Sequence, residues 1–239
     1  MHLISSKISK INLGDPTSWM NKIFLTFDVD WAHDEVIFDT LSLLADSGVE
    51  STWFATHDSE YLNVLLGNNL IEVGIHPNFN GLMCLESDLN SREVLMRAKS
   101  IAPDSTSLRS HSLMQSERLM DQFFEAGFTH VSNFFVPYSS GLRMAPFELW
   151  NRMTIVPYQF QDNVEIKMNL DSLNEAELRY GFHVFNFHPN HVFLNTESID
   201  RYERTRPLFQ NPKELIKHRY QGYGSRSRLI ELVELCRQS

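Results

Sequence analysis

The chain has 239 residues, is 42% hydrophobic and 21% charged, and carries a formal net charge of −9. That is enough apolar material for one large core, and the acidity argues against nucleic acid as a partner and against a basic membrane-surface helix. No apolar run reaches the roughly 18 residues of a membrane-spanning helix.

Residues 1–20 read as an irregular lead with a turn at Gly14-Asp15-Pro16. An alternation then begins. A buried strand is expected over 23–30, ending in acids, and a helix over 34–47 with Ile37, Leu41 and Leu44 on one face and Gly48 as its stop. A β-branched and aromatic strand follows over 49–56, a short helix over 59–66, and a third strand over 71–75 that ends at His76-Pro77. Ser91 is placed to cap a helix that Pro103 ends near 101. A short strand over 107–111, a helix over 116–126 and a strand over 128–133 come next. Residues 134–153 read as a long loop with a short helix. Strands are expected over 154–160 and 182–187, and closing helices over 213–220 and 226–237.

Strands alternating with helices imply βα units and a mostly parallel sheet. The expected fold is therefore α/β: a distorted (β/α) barrel of about seven parallel strands, TIM-barrel-like, with function at the C-terminal strand ends. The whole chain, 1–239, is read as one domain, with 207–239 closing it. No signal-peptide h-region is read near Met1, and Cys84 and Cys236 read as buried or half-buried free thiols with no disulfide framework. A reducing, cytoplasmic location is the expectation.

The expected strand ends carry the chemistry. Six of the ten histidines fall there: His33, His57, His76, His111, His188 and His191. Asp28 and Asp30 lie on one side of an extended strand, and two carboxylates on one face call for a cation or a proton between them. One reads as a metal ligand and the other as a general base. His76 beside a carboxylate suits Zn²⁺ or a similar cation. Asn80 shares its face if 76–80 form a helical turn. Buried Arg109 needs a carboxylate, for which Asp28 is the candidate. His111 either enters the site or caps a loop. Of His188 and His191, Pro189 leaves only one facing the site, with His188 preferred. Asp162, at the sixth strand end, is a further candidate. Trp31, Phe79, Phe134, Phe135 and Tyr138 are candidates for stacking on sugar or for core packing.

These segments resemble the polysaccharide deacetylases of the nodulation-type, carbohydrate esterase family 4 group. Thr26-Phe27-Asp28-Val29-Asp30 resembles the first motif, Gly48-Val49-Glu50-Ser51-Thr52-Trp53-Phe54 the second strand, and Glu72-Val73-Gly74-Ile75-His76 the metal-histidine motif. Arg109-Ser110-His111-Ser112 and Phe187-His188 occupy the places of the Arg-x-Pro-Tyr and Leu-His motifs. The resemblance implies a distorted barrel, Asp28 as general base, Asp30 and His76 as metal ligands, Arg109 holding the base, and His188 as general acid. The family's second metal histidine is Asn80 here, and its Pro-Tyr is His111-Ser112.

The implied activity is metal-dependent removal of an N-acetyl group from an acetamido sugar of a polysaccharide or its precursor. The cofactor is a divalent metal of the Zn²⁺ type, and backbone N–H groups of the 111–112 turn are candidates for stabilising the oxyanion. An N-acetylated sugar or oligosaccharide is the expected partner. The alternatives are hydrolysis of another small-molecule amide on the same fold, and a catalytically weakened glycan-binding barrel whose metal site has decayed at Asn80.

Overall fold

The computed structural model describes residues 3–84, 88–169 and 177–237. The N-terminal lead is more ordered than its sequence suggests. Its strand β1 (Ile4–Ser5) pairs in parallel with β2 (Lys22–Asp28). Helix α1 (Asp34–Leu44), β3 (Ser51–Ala55), α2 (Glu60–Leu66) and β4 (Ile71–Ile75) follow as expected. Next come α3 (Asn80–Met83), α4 (Ser91–Lys99), β5 (Ser107–Leu108) and α5 (Glu117–Glu125). The cap of α4 is Asn90, one residue before the expected Ser91: its side chain accepts from the Glu93 N–H, and Glu93 answers with a capping box.

The second half contains β6 (His130–Val131), β7 (Phe147–Glu148), β8 (Thr154–Ile155), β9 (Phe160–Gln161) and α6 (Asp162–Met168). It ends with β10 (Phe182–Phe187), α7 (Pro189–Leu194), α8 (Ile199–Thr205), α9 (Pro212–Leu215) and α10 (Ser225–Arg237). The helix expected over 213–220 is thus one short turn, continued by a 3₁₀ segment over Ile216–His218. Cys236 is buried but Cys84 is exposed, against expectation.

The sheet runs β7-β8-β6-β5-β4-β3-β2-β10-β9, with β1 beside β2, and every pairing is parallel except β7 with β8. It is a curled, mostly parallel sheet, in agreement with the expected α/β class but not with a full barrel of about seven strands. Pro157 accounts for one of the added strands. A proline donates nothing to a ladder, so the strand expected over 154–160 is split into β8 and β9. Between them, the Val156 N–H donates to Val131 and that of Tyr158 to Phe134 on one side, whereas that of Gln159 donates to Val184 on the other.

Period-2 alternation sorts the central strands into two faces. Ile23, Leu25 and Phe27 of β2 belong to the main apolar cluster, where Phe27 stacks on Trp53 with centroids 4.2 Å apart. The other face carries Phe24, Thr26 and Asp28 in turn. Its partner β10 presents Val184 opposite Phe24 and Asn186 opposite Thr26. Phe24 and Val184 join Ile8, Ile11, Phe54, Val156, Tyr158 and Phe182 in a second apolar cluster. Each column therefore changes from apolar to polar toward the C-terminal strand end, which fixes where the chemistry sits. Gly74 keeps this packing possible, since a Cβ there would lie 2.6 Å from the Phe54 ring.

Candidate active site

Asp28 ends β2 and is buried. Its Oδ1 accepts from Arg109 Nη1 at 3.0 Å and its Oδ2 from Asn186 Nδ2 at 2.7 Å. Arg109 is fully buried, its guanidinium centred 4.6 Å from the Phe54 ring and 4.3 Å from the Tyr158 ring. Its remaining donors reach Thr26 Oγ1, Asn186 Oδ1 and both the carbonyl and hydroxyl of Ser132. A buried cation is tolerated only when paired and hydrogen-bonded, and here each of the three nitrogens has an acceptor.

Asp30 lies beyond the strand. It and Trp31 both have left-handed backbones, with φ of 45° and 54°, at about 1–2 kcal/mol each for a non-glycine residue. The turn brings Asp30 back over the same site as Asp28. Its Oδ1 lies 3.0 Å from His111 Nδ1 and 3.3 Å from His76 Nε2, and those two nitrogens are 3.3 Å apart. Burial would raise the Asp30 carboxyl, but hydrogen bonding to His111 and His76 and the charge of His188 hold it well below the usual carboxylate range.

His188 follows β10 and is the extended N-cap of α7, as a residue before proline should be. Its Nδ1 donates to Asp162 Oδ1 at 2.5 Å, and its backbone N–H donates to Asp162 Oδ2 at 2.8 Å. Ser225 completes the grip on Asp162. Fixing Nδ1 as the donor turns Nε2 toward the two acids, 3.8 Å from Asp28 and 3.7 Å from Asp30. Burial alone would lower this imidazole, but Asp162 and then Asp30 and Asp28 push it up to about 10. Burial opposes ionisation of Asp162 too, and His188 outweighs it, so that carboxyl is lowered.

His191 is buried and makes no ion pair with Asp28 or Asp30. Its ring lies edge-on to His188 and stacks on Tyr202 with centroids 4.0 Å apart. Burial pushes it down to about 4, against the opposing pull of Asp162.

Asn80 is not set one helical turn beyond His76. Residues 76–79 are irregular, α3 begins at Asn80 itself, and the Asn80 amide donates to Ser112 Oγ at 3.0 Å. His111 stands in the cluster instead, on a turn where Ser112 and Leu113 are both left-handed. Its own N–H is spent on the Pro77 carbonyl, so of the two amides considered for an oxyanion only that of Ser112 remains. Among the aromatic candidates, Phe79 is buried against Phe123, Phe135 packs on Tyr158, Phe134 on Phe147, and Tyr138 bonds His183. Trp31 is 42% exposed.

Four participants escaped the sequence reading: Asn186, Ser132, Ser225 and Tyr202. Asn186 had a usable signal, since it lies two residues before His188 on the same strand face. The others are brought in by long-range contacts.

Residues 25–206 match the family model described as WbmS-like polysaccharide deacetylase. The chain belongs to this polysaccharide deacetylase family. A Bordetella bronchiseptica protein, assigned as a polysaccharide deacetylase involved in O-antigen biosynthesis, has a crystal structure that superposes with a TM-score of 0.92. It shares 39% identity with this chain over 96% of each. A Mycobacterium smegmatis protein assigned as a polysaccharide deacetylase reaches only 0.48, at 16% identity over 97% of this chain and 95% of that one. No curated protein matches the chain with significance.

As a polysaccharide deacetylase, the chain has a donor set suited to a cation. Asp30, His76 and His111 offer one oxygen and two nitrogens within 4.8 Å of one another. Tetrahedral ligands at about 2.0–2.1 Å from Zn²⁺ stand roughly 3.3–3.4 Å apart, and the three separations here are 3.0, 3.3 and 3.3 Å. Among the described residues, no helix is long and apolar enough to cross a membrane.

Proposed function

We propose that this deacetylase is a metal-dependent hydrolase that removes the N-acetyl group of an acetamido sugar in a polysaccharide or its precursor. The observation that carries the reading is the Asp30–His76–His111 triangle set between a buried, hydrogen-bonded Asp28–Arg109 pair and an Asp162–His188 pair. The Bordetella relative's assignment to O-antigen biosynthesis supports a glycan or glycan precursor as substrate.

Asp30, His76 and His111 would hold the metal. A bound divalent cation supplies a water of lowered pKa and positive charge for the carbonyl oxygen. Asp28 is the general base. Arg109 and Asn186 fix its orientation, so that it accepts the proton of the attacking water without rotating away. His188 is the general acid: its Nε2 faces the same space, and Asp162 keeps the ring charged and correctly turned until the sugar amine departs. The Ser112 N–H is the remaining backbone candidate for the developing oxyanion. His111 takes the ligand place that the resemblance gave to residue 80, so the reading needs no decayed metal site.

The test is release of acetate from N-acetylhexosamine oligosaccharides by the purified protein, with and without chelation. Activity should vanish on chelation and return with Zn²⁺. Chelator-resistant activity would refute the metal role, and no acetate from any acetamido sugar would refute the substrate class.

A further inference from the structure

The residue beside the cluster that the reaction does not use is Trp31. A tryptophan is a poor occupant of a left-handed position, which glycine or asparagine fills at lower cost. Trp31 holds φ of 54°, next to Asp30 at 45°. Core packing does not account for this, because the side chain is 42% exposed. Its backbone is nevertheless tied at both ends. The N–H donates to Thr56 Oγ1 at 3.0 Å, and the carbonyl accepts from Gln210 Nε2 at 3.1 Å. The indole meets the His111 ring edge-on, with centroids 5.1 Å apart and planes at 74°. Strained, pinned and exposed residues beside reacting groups are where function is to be sought.

The shape of this surface selects a ligand. An indole presents a flat, electron-rich face. A pyranose presents a flat face of C–H bonds, weakly positive and poorly hydrated. A sugar lying on the ring would have its substituents directed at groups next to it, here His111 and the Asp30 carboxylate. The other mouth aromatics are committed to packing or hydrogen bonding, and Trp150, the more exposed indole, bonds Asp121 on α5.

We propose that Trp31 is the sugar platform of the site: the pyranose bearing the acetamido group stacks on its exposed indole, which holds the acetyl group beside His111. This rests on the reading of the site as an acetamido-sugar hydrolase.

The experiment titrates the zinc-loaded protein with methyl glycosides of N-acetylglucosamine, N-acetylgalactosamine and N-acetylmannosamine. Saturation-transfer NMR and tryptophan fluorescence report binding, and acetate release reports turnover. At least one glycoside should bind saturably. Trp31→Ala should weaken it by about tenfold or more, while Trp31→Phe, which keeps an aromatic face, should stay within about threefold. In turnover, the loss should fall on KM more than on kcat. The platform is overturned if no glycoside binds, if Trp31→Ala binds like the parent, or if Trp31→Phe loses as much as Trp31→Ala. Residue-31-dependent binding without acetate release would keep the platform and refute deacetylation. Acetate release indifferent to residue 31 would do the reverse.

Discussion

Asp28 and Asp30 are two residues apart and live by different means. Asp28 spends both oxygens on donors, Arg109 and Asn186, and is paired with a buried cation. Asp30 faces His76 and His111 at 3.3 and 3.0 Å, and the two nitrogens face each other at 3.3 Å. The first arrangement supplies its own cation; the second gathers lone pairs around a space and invites one. The contrast teaches why two acids on one strand end take different roles. Chain position makes them neighbours, but Arg109 has already claimed Asp28, which leaves Asp30 as the acid for the proposed metal. Variants that disturb one side should leave the other recognisable.

The largest effect is expected at the closed side. Arg109→Met leaves Asp28 buried without its cation, and breaking a buried pair from one side costs about 3–5 kcal/mol. Urea denaturation should show that loss; a loss below about 1 kcal/mol would mean the network is not held by this charge.

His188→Ala should lower acetamido-sugar turnover by about 10²–10⁴-fold while the protein keeps its metal, because a general acid is lost and a ligand is not. Asp162→Asn should act in the same direction, since the amide no longer holds the imidazole charged. Metal loss in His188→Ala would move His188 into the coordination sphere.

The smallest effect concerns His191. Its pKa is pushed from an ordinary 6.5 down to about 4 in the folded chain. The unfolded chain therefore binds the proton first, and stability falls as pH drops from 6.5 toward 4. At about pH 5.5 the penalty is about 1.4 kcal/mol. His191→Phe keeps an aromatic ring against Tyr202 and should remove that penalty, seen as a gain in Tm over the parent that is larger at about pH 5.5 than at about pH 7.5. His188 has the opposite sign. Raised to about 10, it contributes stability that is fully present below 6.5 and is lost progressively as pH rises from 6.5 toward about 10, so between about pH 5.5 and 7.5 it offsets the His191 penalty, and the His191 share is read as variant against parent.

Much of this was readable in the sequence where the chain is locally determined. β2, β4 and β10 announce themselves as apolar runs ending in Asp28, His76 and His188, because a column that starts apolar must end polar where water enters. The Arg109–Asp28 pair followed from the cost of a buried guanidinium alone. What was not readable depends on backbone turns and distant contacts. Asn80 shares a face with His76 only if 76–80 form a helical turn, but Pro77 and the irregular segment after it delay the helix, and of the two readings open for His111 the left-handed turn at Ser112-Leu113 goes with the one that enters the site. The splitting of one strand into β8 and β9 at Pro157 was signalled by that proline. The stacking of Tyr202 on His191 was signalled by nothing local.

The proposed cation is held by Asp30, His76 and His111, with Asn80 outside. Zinc titration calorimetry on His111→Ala and Asn80→Ala, both checked for intact fold, tests it most directly. His111→Ala should weaken zinc by about 100-fold or more, at least what loss of an outer-shell partner costs, and Asn80→Ala should stay within about threefold of the parent. A large loss in Asn80→Ala with His111→Ala near the parent would contradict it.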